Sequence, residues 1–395
     1  MTAADPTIID GTCEPGFEAV TDAFSMNLAE RGDLGARVCV IHDGRVVVDQ
    51  WGGWADRART VPWTADTLTN MWSSTKGVVA LAAQMLVDRG QLDLDAPVAA
   101  YWPEFAAGGK EALPVRYLLS HRAGLCGFRE QVTIDDLTDW DKLVSLLAAM
   151  EPWWEPGTAS GYHALTYGYL VGEVIRRVDG RSPGRFIAEE ITGPLGADLY
   201  VGLSPEDQAR CCEMAMDPPP PDSDMSAMFA QLTPAVIAAL TNPPMAAPFA
   251  ADVANTAAWR AAEIPAANGH GTARGLATVY AVLAGRGEHD GVRLLSPEGV
   301  ERIREGQGRD VDLLLGAGMA GVPMEFALGV VLSGPEGQYG PNPRAIGHDG
   351  YGGSFGMADP EAGLAVAWVM NKMGGVLAGD PRKVAILEAV YASLG

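Results

Sequence analysis

The chain holds five lysines against twenty-three arginines, so a plain solvated positive charge is usually supplied by arginine. Lys76 stands three residues after Ser73 in "MWSSTKGVVALAAQMLVDRG". Arginine keeps its proton in any protein setting, whereas a lysine desolvated near other positive groups becomes a neutral base. Apolar positions Val78, Ala82 and Met85 recur near helical spacing, and Gly90 marks a stop, so a helix is expected from Ser74 to about Asp88. Placed on its first turn, Ser73 and Lys76 share a face, and the amine reaches the hydroxyl. The positive end of the helix favours a neutral lysine and an anion forming at the serine. Fourteen serines and five lysines give roughly 0.2 such pairs by chance, so the pair needs partners.

Two rival serines occupy G-x-S-x-G patterns, the nucleophile-elbow signature of α/β-hydrolases. In "GRSPG", Pro183 sits at a first helical position and makes Ser182 a helix N-cap. In "GGSFG", Ser354 has no histidine after it, since the last one is His348, while that fold requires one. Both serines are expected to be structural.

The partners of Ser73 and Lys76 come later, in "PGTASGYHALTYGYLVGEV" and "GHDGYGGSFGMADPEAGLAVAWV". With "SSTK", "LPVRYLLSHRAGL", "NGHGTARGLA" and "GHDGYGG" in this order, most of the chain resembles the serine hydrolases related to class C β-lactamases and penicillin-binding proteins, especially the family VIII carboxylesterases. The resemblance implies Ser73 as nucleophile, Lys76 as its hydrogen-bonded base and Tyr162 as the tyrosine of the Y-x-N motif, the two forming a proton relay in which either Lys76 or Tyr162 is the base proper. It puts His348, Asp349 and Gly350 where the family carries lysine, threonine and glycine on the strand bordering the site. Tyr351, next on that strand, would offer its backbone N–H beside that of Ser73 as an oxyanion hole. Two departures bear on substrate. Ala164 stands where Y-x-N has its asparagine, and His348 replaces the lysine that would anchor a β-lactam carboxylate, so uncharged esters are favoured. His348, expected to titrate near neutrality, would provide carboxylate anchoring that fades as pH rises, whereas a lysine's would persist. Trp153 and Trp154 are candidates for lining the substrate pocket, with core packing an equal alternative.

These residues need a scaffold. "RVCVIHDGRVVVDQWGGW" alternates around a turn and reads as a β-hairpin. Helical patterns follow at "VRYLLSH", "DWDKLVSLLAAM", "TYGYLVGEVIRRV" and "PGRFIAEEI". Cys211 to Pro265, rich in alanine, methionine and proline, reads as long loops with short helices; its Met214, Met216, Met225 and Met228 suit an apolar wall or gap filling. "GTARGLATVYAVLAGRG" and "VAILEAVYASL" read as helices, with "FALGVVLSG" and "GLAVAWVMNK" as late strands. The expected fold is mixed α/β (α+β), β-lactamase/transpeptidase-like: an antiparallel sheet flanked by helices, plus a mostly helical domain. Residues 1–76 and 265–395 are expected to supply the sheet domain, and 77–264 the helical and loop region over the site.

A net charge of −22 repels phosphate backbones and anionic membranes, so neither nucleic acid nor membrane is an expected partner. Without a signal-peptide pattern, and with five scattered cysteines, the chain reads as cytoplasmic with reduced thiols. No metal-ligand spacing or phosphate loop is present, so no cofactor is expected. His121 and His270 are expected to be hydrogen-bonded structural residues, and His163 to point away from Tyr162. The expected activity is hydrolysis of a small ester through an acyl-enzyme on Ser73. The alternatives are acyl transfer to an alcohol, amide hydrolysis of the β-lactamase or D-amino-acid peptidase type, and a catalytically silent binding protein of the same fold. Oligomeric state is not readable from this pattern.

Overall fold

The computed structural model describes residues 9–218, 232–244, 249–316, 321–376 and 379–395. Seven antiparallel strands form the main sheet: β1 (Ile9–Cys13), β2 (Gly35–His42), β3 (Arg45–Gly53), β4 (Val331–Leu332), β5 (Ile346–Asp349), β6 (Phe355–Asp359) and β7 (Leu364–Met370). Their order is β1-β3-β2-β7-β6-β5-β4. The expected hairpin is β2–β3, and β2 then pairs with β7 from Leu364↔His42 to Met370↔Ala36, which joins the two ends of the chain in one sheet.

Alternation along β7 explains the layers. Leu364, Val366, Trp368 and Met370 pack on one face with Val20, Phe24, Ile386 and Val390, which belong to helices α1 (Glu18–Ala29) and α6 (Pro381–Ser393). Ala365, Ala367 and Val369 pack on the other with Leu276, Ala277 and Tyr280 of α5 (Ala273–Ala284). Both faces are buried, so β7 reads as an uninterrupted apolar run. The small alanines on the α5 side let that helix approach closely.

Helix α2 (Thr75–Asp88) is buried at all but its last two residues, hence its apolar sequence on every side. It packs against α4 (Thr166–Asp179), with α3 (Trp140–Ala149) on the far side of α4. Two corrections emerge. The expected late strand "FALGVVLSG" reduces to β4, flanked by Gly329 and Gly334 at φ 98° and 62°; both conformations lie outside the β region. The "PGRFIAEEI" helix runs only from Pro183 to Ile187 before widening into a π turn over Ala188–Thr192. The described part of Cys211 to Pro265 does hold short helices, at Pro234–Thr241, Phe249–Ala254 and Ala257–Ala261. Met214 is core and Met216 packs against it, whereas Met225 and Met228 lie outside the described residues. All five cysteines are free thiols. Among the described residues no helix is long and apolar enough to cross a membrane.

Candidate active site

The helix carrying Lys76 starts at Thr75, with Ser74 as N-cap, so Ser73 precedes the helix instead of occupying its first turn. A tight turn keeps the pair together: Lys76 N–H donates to Ser73 O at 2.9 Å. Trp72, just before, sits at φ 47°, a left-handed conformation that costs a bulky residue on the order of 1 kcal/mol or more. Neighbours hold it there. Thr75 Oγ1 donates to Trp72 O at 2.6 Å and accepts from Gly269 N–H at 3.0 Å, and Met71 N–H donates to Gly269 O. Ser73 is thereby presented half-exposed on a rigid bend.

Lys76 has no exposed surface. Its Nζ lies 3.0 Å from Ser73 Oγ, 2.8 Å from Ala164 O and 2.9 Å from Ala266 O. Burial pushes its ammonium well below the usual lysine range, and no carboxylate counters that. Carbonyl oxygens only accept. Both therefore accept from Nζ, which is held between them and Ser73 Oγ. Sequence reasoning missed both carbonyls, because main-chain acceptors leave no mark in residue types.

Tyr162 is brought to the same point. Lys76 Nζ sits 4.8 Å from its ring centre, and the Ser73 hydroxyl hydrogen-bonds the phenol. Burial outweighs that bond and raises the phenol well above its ordinary value. The Tyr162 loop is held from two sides. Gly161 N–H donates to His121 O at 3.0 Å and His163 N–H to His121 Nδ1 at 3.1 Å. On the other side, Asp312 Oδ1 accepts from the N–H groups of Tyr162 (3.1 Å), Leu314 and Leu315 (both 2.9 Å), and Oδ2 accepts from Ser160 Oγ at 3.1 Å. Asp312 was not singled out in the sequence, where nothing distinguishes it among fifty acidic residues.

His121, His163 and His270 are buried. His163 turns inward, accepting from Leu125 N–H at 2.9 Å, and His270 Nδ1 bonds Asn268 O at 2.7 Å.

On β5, His348 and Asp349 point to opposite faces. His348, 4% exposed, lies with its ring 6.0 Å from that of Tyr162. Its Nδ1 is 2.8 Å from Asp349 O, a contact that needs the proton on Nδ1 and leaves Nε2 as a bare acceptor. Burial lowers its pKa to about 3. The expectation of a histidine titrating near neutrality is thus corrected: this imidazole is neutral, and its free lone pair disfavours a carboxylate.

Asp349, expected as a substrate contact, is paired on the other face of the strand. It faces α6, where Lys383 Nζ lies 2.7 and 2.8 Å from its two oxygens. Gly350 contributes by having no side chain, since a Cβ there would come within 2.3 Å of Met71 O. Tyr351 lies in the turn beyond β5, not on the strand, and its ring meets Trp72 edge-on at 5.7 Å. The tryptophans are engaged elsewhere: Trp153 Nε1 donates to Gly127 O and Trp154 Nε1 to Ala159 O. Trp154 fills the space a side chain at Gly161 would need, so it braces the Tyr162 loop from behind. Ser182 is the helix N-cap expected, accepting from Arg185 N–H. Among the described residues no cluster of His, Cys, Asp or Glu is arranged to hold a metal.

Comparison with known proteins bears on the family and the fold. The esterase/β-lactamase LipL of Mycobacterium tuberculosis is 39% identical over 92% of this chain and 83% of its own length. A family VIII carboxylesterase of known structure superposes with a TM-score of 0.90 at 43% identity, covering 98% of this chain and all of its own. A penicillin-binding protein homologue from Caulobacter crescentus gives a TM-score of 0.89, also at 43% identity and the same coverage. The β-lactamase family model matches residues 20–391, and with the β-lactamase/transpeptidase-like fold around Ser73 and Lys76 the chain belongs to the β-lactamase family.

Proposed function

We propose that the chain is a serine carboxylesterase acting through an acyl-enzyme on Ser73. The observation that carries this reading is the placement of Lys76, fully buried with Nζ 3.0 Å from Ser73 Oγ and held by two carbonyl oxygens, so that the deprotonated amine that burial favours would turn its lone pair to the serine. Lys76 takes the Ser73 proton as Oγ attacks the ester carbonyl. The N–H groups of Ser73 and Tyr351 stabilise the oxyanion. Tyr162, kept a phenol by burial, gives its proton to the departing alkoxide and recovers one from Lys76. Water then attacks the acyl-enzyme by the reverse proton path, freeing the acid and restoring Ser73. Opposite shifts of the two groups support lysine as base and tyrosine as acid.

The substrate is a small uncharged ester. Nearby cations are already committed: Lys383 to Asp349, Arg122 to Asp310, Arg382 to Asp33 and Asp380. A carboxylate such as a β-lactam carries would meet the His348 lone pair in place of a cation. The test has two parts. A fluorophosphonate probe should label Ser73 by peptide mass spectrometry, with label on Ser182 or Ser354 sinking the mechanism. In parallel, kcat/KM for p-nitrophenyl butyrate should exceed that for a chromogenic cephalosporin by at least about a hundredfold, the scale set by one missing charge-assisted contact. Equal values would refute the substrate class while leaving the mechanism intact.

A further inference from the structure

Ser354, the serine of "GGSFG", is fully buried at the junction of the Gly350–Gly353 turn and β6. Its hydroxyl donates to Met71 O at 2.9 Å and lies 3.2 Å from the Ser74 hydroxyl. Its carbonyl accepts from Gly350 N–H at 2.6 Å. One residue therefore grips both the bend that presents Ser73 and the turn that carries Tyr351.

Two features show how far the surroundings are given over to this grip. Ser74 is the N-cap of α2, where a serine hydroxyl ordinarily accepts from the first-turn N–H groups. It makes no such bond, and its Oγ faces Ser354 instead. At Gly350 a Cβ would fall 2.2 Å from Ser354 Oγ and 2.3 Å from Met71 O, so the two loops touch only because that side chain is missing. From the opposite side, Arg382 Nη2 donates to Gly352 O at 2.8 Å, an oxygen that also accepts from Gly374 N–H at 2.7 Å. The same guanidinium is fixed by Asp380, Asp33 and Lys372 O. Gly352 and Gly353, at φ 91° and 126°, give the turn the backbone shape this packing demands.

We infer that Ser354 is a positioning residue that sets the separation of the Ser73 and Tyr351 N–H groups, with Arg382 bracing the Tyr351 turn from behind. The inference rests on the reading of those two groups as the oxyanion hole. Donors of this kind act at about 2.7–3.1 Å from the oxyanion, and displacement by about 1 Å is enough to cost roughly a hundredfold in rate. A ground-state ester carbonyl is a weaker acceptor than the oxyanion, so substrate binding depends much less on the same spacing.

Ser354→Ala tests this with little risk to folding. For p-nitrophenyl butyrate kcat should fall about 10- to 100-fold, with KM changing less than about threefold. Affinity for phenylboronic acid, which forms a tetrahedral anion on Ser73, should fall by about the same factor as kcat. Ser354→Cys, which keeps a weak donor, should recover part of both losses. Unchanged kcat in Ser354→Ala, or a fall in kcat with boronate affinity intact, would overturn the inference. Ser73→Ala separates this from failure of its premise. An inactive Ser73→Ala beside a fully active Ser354→Ala defeats the positioning role alone, whereas an active Ser73→Ala defeats the nucleophile assignment itself.

Discussion

The site-facing side of β5 and the side facing α6 each meet a buried lysine, and they treat it in opposite ways. Lys76, near His348, has only neutral acceptors around it, and burial drives its ammonium well below the usual range. Lys383, on the other face, lies between both oxygens of Asp349 and 4.1 Å from the Tyr339 ring centre. Burial lowers it too, but the carboxylate and the hydrogen bond work against that. Burial alone makes a base of a lysine; burial with a carboxylate makes a structural ion pair. One strand, four residues long, separates the outcomes.

The largest expected effect lies on the catalytic face. Lys76→Arg should lose at least about a hundredfold in kcat, as much as Lys76→Ala, because a guanidinium cannot take the serine proton. Lys383→Arg should keep most activity, since Asp349 needs only a cation. Steady-state kinetics of the pair decide the matter: equal tolerance of arginine at both positions would erase the contrast.

Next comes stability. Lys383→Met leaves Asp349 without its partner. Fully buried pairs lose roughly 3–5 kcal/mol when halved, and Asp349, whose side chain is 21% exposed, should bring the loss to about 2 kcal/mol. Asp349→Leu added to Lys383→Met should restore most of it. Urea midpoints measure both, and a double variant no better than the single one would show that packing around Lys383 matters more than charge.

The smallest effect concerns pH. His348 is held to about 3, against about 6.5 in an unfolded chain. Between those values the unfolded chain binds a proton that the fold does not, so stability is complete above about pH 6.5 and is lost as pH falls toward 3. His163 and His270, also near 3 through burial, add to the same slope. His348→Asn should flatten the fall in urea midpoint between pH 7 and 5 by up to one proton's worth. It should leave the kcat/KM profile unmoved from pH 6 to 9. A profile that loses an ionisation in that range would mean His348 titrates in the working enzyme.

Much of this was legible in residue types. Alternation gave the β2–β3 hairpin, and the all-round apolar run with its glycine stop gave α2 within a residue at its start. The Ser73–Lys76 spacing, with the order of later motifs, singled out the three residues that the fold does bring together. Boundaries were less legible. Ser73 falls before the helix because Ser74 takes the N-cap, and β5 stops at Asp349 because the next residues must turn against Met71. Residue types were silent wherever main-chain atoms do the work, as at Ala164 O and Ala266 O. At Asp349 they did not say which face of the strand the side chain takes, and it turns to Lys383 of α6.

The two oxygens that orient Lys76 belong to the backbone, and this shapes what mutation can do to the enzyme. Any residue at 164 or 266 that leaves the local path intact still presents its carbonyl, so position 164, where half-exposed alanine adjoins the site, is free to drift toward new substrates without disturbing Lys76. An insertion or deletion of one residue in either loop would instead swing a carbonyl away and let water or the wrong proton state reach the amine. Tolerance to substitution and intolerance to changes of loop length are thus two sides of one arrangement, and a deletion scan set against saturation mutagenesis of residue 164 would display both.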